Sequence, residues 1–135
     1  MVSIDIKPTG IKRGWSEIFR MTNNDKDGAE GSRIPMIKFR PGDTRLHISF
    51  SISGNGNRHF DSAALPMNKY STVVIQQRNQ YGNKYRYSID VNGVEIYQIM
   101  NSKPQDWTNA KMYMCSNFFE ESDAVVKNLR FQNIG

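Results

Sequence analysis

The sequence predicts an all-β domain built from two packed antiparallel sheets, a sandwich or jelly roll. Apolar and polar side chains alternate along most of the chain, as the two-residue period of a strand requires. The alternating segments follow one another at short intervals, separated by clusters of Gly, Pro, Asn or Asp. The caps and the 3.6-residue period of a helix are missing from the pattern, so we expect almost no helix.

Ten strands are predicted from this alternation, in one small domain that spans residues 1–135. Two antiparallel sheets packed face to face accommodate so many short strands most simply. In chain order, the strands are expected near Val2–Lys7, Trp15–Thr22, Met36–Arg40, Arg45–Ser53, Arg58–Ala63, Thr72–Asn79, Lys84–Val91, Val94–Met100, Lys111–Ser116 and Val125–Asn133.

The best specified turn is Asn92-Gly93, which predicts a two-residue hairpin because this pair accepts positive φ at both positions. The hairpin places Asp90 opposite Glu95, and two carboxylates directly across a ladder repel. We therefore expect either Arg86 or Arg78 beside them, or a register shifted by one residue.

Composition favours an anionic partner. Lys and Arg together number 18 against 13 Asp and Glu, which gives a net charge of +5 and a pI near 9.4. No run of five like charges occurs, so specific nucleic-acid binding is not expected. The single cysteine, Cys115, cannot form an intrachain disulfide, and the fold is expected to depend on burial alone.

The sequence contains few indications of the cellular compartment in which the protein resides. No apolar run is long enough to cross a membrane, and no cleavable leader is visible at the start. We expect an extracellular protein, secreted by a route not visible in the sequence, and the cytoplasm stays open as the alternative.

The stretch "MIKFRPGDTRLHISFSI" carries the candidate binding face. Its polar side chains fall on one side of two adjacent strands, where neighbouring residues lie within a few ångströms. Arg40, Arg45 and His47 are expected to supply charge-assisted hydrogen bonds to a polar ligand. An ordinary solvated sheet face remains the alternative interpretation.

A rim to this face is expected from the Asn-rich loop and strand that follow it: Asn55, Asn57, Arg58 and His59. The loop is expected to span Ser53–Asn57, and loops gathered at one end of a sandwich are common ligand sites. Trp107 is the aromatic residue expected to stack on a ligand. Trp15 is another candidate, although the sequence favours a ring that closes the core, since "GWSEIF" begins a strand whose Ile18 is apolar.

Calcium is considered at "NNDKDGAEG", where Asn23, Asp25 and Asp27 have the alternating oxygen spacing that opens a calcium loop. Position twelve of such a loop needs a bidentate Glu, and here it is Ile34. The sequence therefore favours a solvated loop, and we expect no cofactor.

Enzymatic activity is not expected. The sequence shows no nucleophile elbow, phosphate loop, Cys-His pairing at a known spacing or His and Cys metal cluster. Asp90 and Glu95 are a pair of carboxylates of the kind that glycosidases use, and such a pair arises easily by chance.

The order of features resembles the concanavalin-A-like jelly rolls, the group that includes laminin-G modules and galectins. The resemblance rests on "EIFRMT", "RIPMIKFRPGDTRLHISFSISG", "YRYSIDVNGVEI", "WTNAKMYMCSN" and "VVKNLRFQN". Galectins bind sugar through a His-x-Asn-x-Arg strand, and this chain keeps His47 but has Ser49 and Ser51 at the other two positions.

This resemblance implies a non-enzymatic, lectin-like module that binds a glycan or glycoprotein surface, including sulfated or other anionic glycans. The alternative is a structural or adhesive domain that associates with other proteins, or forms a homo-oligomer, through a sheet face or edge.

Overall fold

The structure, a computed structural model, describes residues 1–23, 33–104, 110–114 and 120–132. These residues contain no helix and form eleven strands, so the all-β prediction is confirmed. The strands are β1 Val2–Pro8, β2 Ser16–Thr22, β3 Met36–Phe39, β4 Arg45–Ile52, β5 Asn55–Ala64, β6 Ser71–Tyr81, β7 Lys84–Val91, β8 Val94–Asn101, β9 Lys111–Tyr113, β10 Glu120–Glu121 and β11 Ala124–Phe131.

The strands form a two-sheet sandwich. The first sheet has five strands in the order β11-β1-β6-β7-β8, and the second has six, in the order β10-β2-β3-β4-β5 with β9 also paired to β2. The pairing is antiparallel except between β10 and β2, a short parallel contact of two residues on each strand. The predicted sandwich is thus confirmed, with β10 as a strand that the sequence did not predict.

Apolar side chains on the inner faces of the two sheets form one core. Its fully buried members include Ile4 and Ile6 from β1, Phe19 from β2, Ile37 from β3 and Leu46 from β4. Burial of each such side chain contributes about 1.5–3 kcal/mol before the entropy cost of ordering. Most of the inner face of each sheet is committed to this core, so the outer faces remain available for recognition.

The β7–β8 hairpin has the predicted turn. Asn92 and Gly93 have φ values of 52° and 81°, which a two-residue turn of this type requires. Asp90 does lie opposite Glu95, and Arg86 forms an ion pair with Glu95. The arginine that was expected beside the two carboxylates is therefore present.

The connection between β4 and β5 differs from the expected loop at Ser53–Asn57. Ser53 and Gly54 have φ values of 49° and 83°, so they form a two-residue turn, and β5 begins at Asn55. The five-residue loop was wrong because Ser53 adopts a left-handed conformation that serine seldom takes. Asn55 and Asn57 consequently belong to a strand and not to a loop.

Candidate functional site

The candidate site lies on the outer face of the second sheet. Strand register places Glu17 beside Lys38, Lys38 beside His47, and His47 beside Asp61, in one row across β2, β3, β4 and β5. Residues in register on neighbouring strands point to the same side of a sheet. Four titratable side chains therefore adjoin one another on this face.

The face is not the open, solvated surface that alternation alone suggested. Lys38 is only 4% exposed and His47 8%, while Ser49 is fully buried. Neighbouring rings account for part of this burial. The ring of His59 stacks on that of His47 at 4.6 Å between centroids, and the ring of Trp15 meets His47 edge-on at 4.8 Å.

His47 is the centre of the site. Its Nδ1 lies 2.6 Å from Oδ1 of Asp61, and Nη1 of Arg40 donates to the other carboxylate oxygen. One carboxylate on β5 thus joins a histidine on β4 to an arginine just beyond β3. We name the cluster of Trp15, Lys38, Arg40, His47, His59 and Asp61 the polar–aromatic cluster.

Electrostatics favour a neutral His47 and an ionised Asp61. Burial lowers the pKa of His47, against the opposing effect of the Asp61 carboxylate. The pKa of Asp61 is lowered although burial acts to raise it, because His47 donates a hydrogen bond and Arg40 adds positive charge. A neutral imidazole with its proton on Nδ1 donates to Asp61 and leaves Nε2 as an acceptor.

Trp15 belongs to the outer face and does not close the core. It stands two residues before Glu17, so the alternation of the strand directs both to the same side. The Nζ atom of Lys38 lies 4.6 Å from the centroid of the Trp15 ring, and Cζ of Arg40 lies 5.5 Å from it. Both contacts are cation–π interactions, which fix the ring as one wall of the site.

Two buried polar atoms on this face hydrogen-bond none of the residues that the structure describes. They are Nε of Arg40 and Oγ of Ser49, the residue opposite His59 in the register. Most buried polar atoms in folded proteins are paired, because an unpaired one costs about 1–3 kcal/mol. Atoms left unpaired beside a partly open cluster are consistent with a site that a polar ligand completes.

Arg33 extends the face beyond the cluster. This arginine is 7% exposed, and its Nη1 donates to Oδ1 of Asn57 at 2.7 Å. The side chain of Asn55 accepts the backbone N–H of Asn57 at 2.9 Å. Both predicted asparagines are therefore held in place within the strand, with Asn57 on the same side as His59.

The predicted site residues other than these two asparagines fall into three groups. Arg40, His47 and His59 come together in the polar–aromatic cluster. Arg45 stands apart, bound by its own Nε to Oδ2 of Asp43 at 2.9 Å, and Arg58 lies opposite Phe50 in the register, so it is on the other face of the sheet. Outside the described residues lie Trp107, Asp25, Asp27 and Cys115.

The described residues contain no group of three or more His, Cys, Asp or Glu side chains able to hold a metal ion. Asn23 is the one member of the calcium candidate that the structure describes, and it makes interactions of its own. Among these same residues, no helix is long and apolar enough to cross a membrane.

Sequence reasoning missed Asp61 entirely. The sequence did contain one indication of its role. His59 and Asp61 alternate with the apolar Phe60, which places the two polar side chains on one face of the strand. The pairing of Asp61 with His47 requires an extra residue in β5, because the register shifts between Phe50 and Ile52. Such a bulge has no clear signature in the sequence.

Comparison with known proteins leaves the family open: no protein-family model matches the chain, and a search of curated proteins finds no significant match.

Proposed function

We propose that this protein is a non-enzymatic carbohydrate-binding module of the concanavalin-A-like kind, and that the polar–aromatic cluster is its glycan site. The observation that carries the proposal is the buried Nε of Arg40, which hydrogen-bonds no described residue and belongs to a guanidinium beside the Trp15 ring. A sugar supplies hydroxyl oxygens for such a donor and C–H faces for the ring.

The cluster offers complementary groups in a small area. His47, in its neutral form, presents an acceptor at Nε2, and Asp61 presents carboxylate oxygens that already accept from Arg40 and His47. His59 is exposed and provides a flat surface. Donors, acceptors and ring surfaces close together are what hydroxyl-rich ligands need.

Charge pairing in and near the cluster favours a neutral glycan over a densely sulfated one. Arg40 is paired with Asp61, and Arg45 is paired with Asp43. The positive charges that suggested an anionic ligand are thus partly neutralised by neighbours on the same face. The ligand we propose is a hydroxyl-rich glycan, with sulfated glycans as weaker ligands.

A glycan array that includes neutral and sulfated structures tests the proposal, in buffers with and without calcium. The glycan that binds best is then titrated against Arg40→Ala, Trp15→Ala and Arg58→Ala. The first two should weaken binding by about tenfold or more, because each removes a contact with the ligand. Arg58→Ala is the matched control, since Arg58 points to the opposite face from His59.

Failure to bind any glycan, or equal loss in all three variants, would refute the assignment. If the Arg40→Ala and Trp15→Ala variants retained glycan binding, the glycan site would have to lie elsewhere on the molecule. A glycan ligand also supports the extracellular location, since glycans are concentrated on cell surfaces, and the cytoplasm remains the alternative.

A protein-interaction domain is the second candidate, and a specific observation favours it. Strand β11 lies at the edge of the first sheet, and its Val125, Leu129 and Phe131 side chains are 43%, 37% and 51% exposed. Unpaired strand edges with apolar side chains promote association. Light scattering at rising concentration distinguishes a homo-oligomer from a monomeric lectin.

A further inference from the structure

A second candidate site, separate from the polar–aromatic cluster, is a cavity of about 140 Å³ between the two sheets. It is lined on the inner side by Phe50 and Ile52 from β4, Ile75 from β6 and Tyr87 from β7. Phe50 is directed to the core, so the cavity is on the opposite side of β4 from His47 and Ser49.

The size of the cavity limits its occupant. A dry apolar cavity of about 150 Å³ in another protein binds benzene. A space of about 140 Å³ is therefore suited to a single six-membered ring or a branched aliphatic group of similar volume. The space opens to solvent, so a sugar chain or a long acyl chain would extend beyond it.

Tyr87 supplies a hydrogen-bond donor to this space. The residue is 8% exposed, its ring stacks on Phe50 at 4.4 Å between centroids, and its hydroxyl hydrogen-bonds no described residue. Burial raises the pKa of Tyr87, so the phenol keeps its proton and can donate. Because this residue lines the cavity, its phenol is available to donate to an acceptor placed there.

Gln77 lies directly opposite Tyr87 in the register and also lines the cavity. Asn101 donates to the side-chain oxygen of Gln77 at 2.9 Å, which leaves the Gln77 amide N–H groups as donors. The oxygen of Asn101 accepts the backbone N–H groups of Ser53 and Lys103, each at 3.0 Å. These hydrogen bonds hold the Asn101 and Gln77 side chains in place on the polar side of the cavity, where Gln77 offers its amide N–H groups as donors.

Charge around the cavity favours an anion. Lys103 lines it and forms no ion pair with a described residue. No Asp or Glu is present among the described residues that line it. A negatively charged group is thus attracted by the lysine and meets no opposing carboxylate.

We propose that this inter-sheet cavity binds a small carboxylate with a compact apolar body, such as a monocyclic aromatic acid. The ring occupies the space beside Phe50, Ile52 and Ile75. The carboxylate accepts hydrogen bonds from Tyr87 and Gln77 and is attracted by Lys103. This proposal does not depend on the proposed glycan site.

Benzoate is the probe, and the readout is a two-dimensional amide NMR titration of the whole chain. We expect saturable shifts for residues 50–53, 75–77 and 101–103. Acetate has the charge without the ring, and benzyl alcohol has the ring without the charge. Both should bind at least about tenfold more weakly than benzoate, since each lacks one part of the recognition.

Tyr87→Phe should weaken benzoate binding by about tenfold, because it removes a hydrogen bond to the charged carboxylate. Tyr97→Phe is the matched control: Tyr97 also contacts Phe50, with centroids 6.0 Å apart, but does not line the cavity. Ile75→Phe should block binding by filling the space, with thermal melting to confirm that the variant folds.

Shifts that do not saturate, or equal binding by wild type and Tyr87→Phe, would overturn the proposal. So would benzoate binding that persists in a folded Ile75→Phe variant. Arg40→Ala separates the two sites, because it should impair glycan binding and leave benzoate binding unchanged. Loss of benzoate binding in that variant would place benzoate at the polar–aromatic cluster instead and refute the cavity site.

Discussion

The Nδ1 atom of His47 lies 2.6 Å from Oδ1 of Asp61, on the strand next to its own. The same carboxylate accepts from Arg40. Because His47 is almost fully buried and also packed between the rings of Trp15 and His59, this contact orients the imidazole at the centre of the proposed glycan site. The geometry of that site and its response to pH depend on this one pairing.

Asp61→Asn is expected to destabilise the fold. The substitution removes the negative charge of the Asp61 carboxylate, to which both Arg40 and His47 bind. Loss of a hydrogen bond to a charged, partly buried group costs about 1–3 kcal/mol. Chemical denaturation measures the free energy of unfolding. Asp43→Asn is the matched control, because the Asp43–Arg45 pair is at the surface and such pairs contribute about 0–1 kcal/mol. Equal costs for the two variants would contradict the central role of Asp61.

Stability is expected to fall on mild acidification because of His47. Burial lowers its pKa in the folded protein, so below the ordinary value near 6.5 the unfolded chain binds more protons than the folded one. The free energy of unfolding therefore decreases as the pH falls from about 7.5 to about 5. The contribution of Asp61, whose pKa is lowered, is fully present above about pH 4 and disappears only in stronger acid.

His47→Gln tests this origin, since glutamine keeps a donor for Asp61 but does not titrate. Melting temperatures of wild type and variant are compared across the same pH range. We expect a shallower decrease in the variant. Parallel curves for the two proteins would show that other groups cause the acid sensitivity.

Retention on heparin is expected to decrease in the double variant Arg40→Ala, Arg45→Ala, if anionic glycans use this face. Retention should also decrease with salt, because exposed charges are screened within about 8 Å at physiological ionic strength. The control is Arg78→Ala with Lys84→Ala, which removes the same charge from exposed residues of the first sheet. Equal losses in both double variants would show that heparin responds to net charge alone.

Calcium is expected to leave the melting temperature unchanged. A cation that binds only the folded protein would stabilise it by about 2.7 kcal/mol at a hundredfold excess over Kd. Ile34, where a calcium loop needs a bidentate Glu, packs against the core and supplies no ligand. A rise in melting temperature at millimolar calcium that disappears in Asp25→Ala with Asp27→Ala would prove this expectation wrong.

The sequence by itself determined the class of fold and most of its strands. Alternation is a local property, so β4 at Arg45–Ile52 and β7 at Lys84–Val91 were predicted to within a residue or so. The Asn92-Gly93 turn was equally clear, because only a few residue pairs tolerate its dihedral angles. Strands as short as β10 carry too few residues for any periodicity to be visible.

The sequence also placed Arg40 and His47 on one face, since both belong to the same alternating stretch. Only the tertiary structure decided which residues surround them. A bulge in β5 brings Asp61 beside His47 and sends Arg58 to the other face. Trp15, which immediately precedes β2, comes from a distant part of the chain to lie over Lys38. Register and sheet order depend on the packing of the whole core, which the local alternation of side chains does not encode.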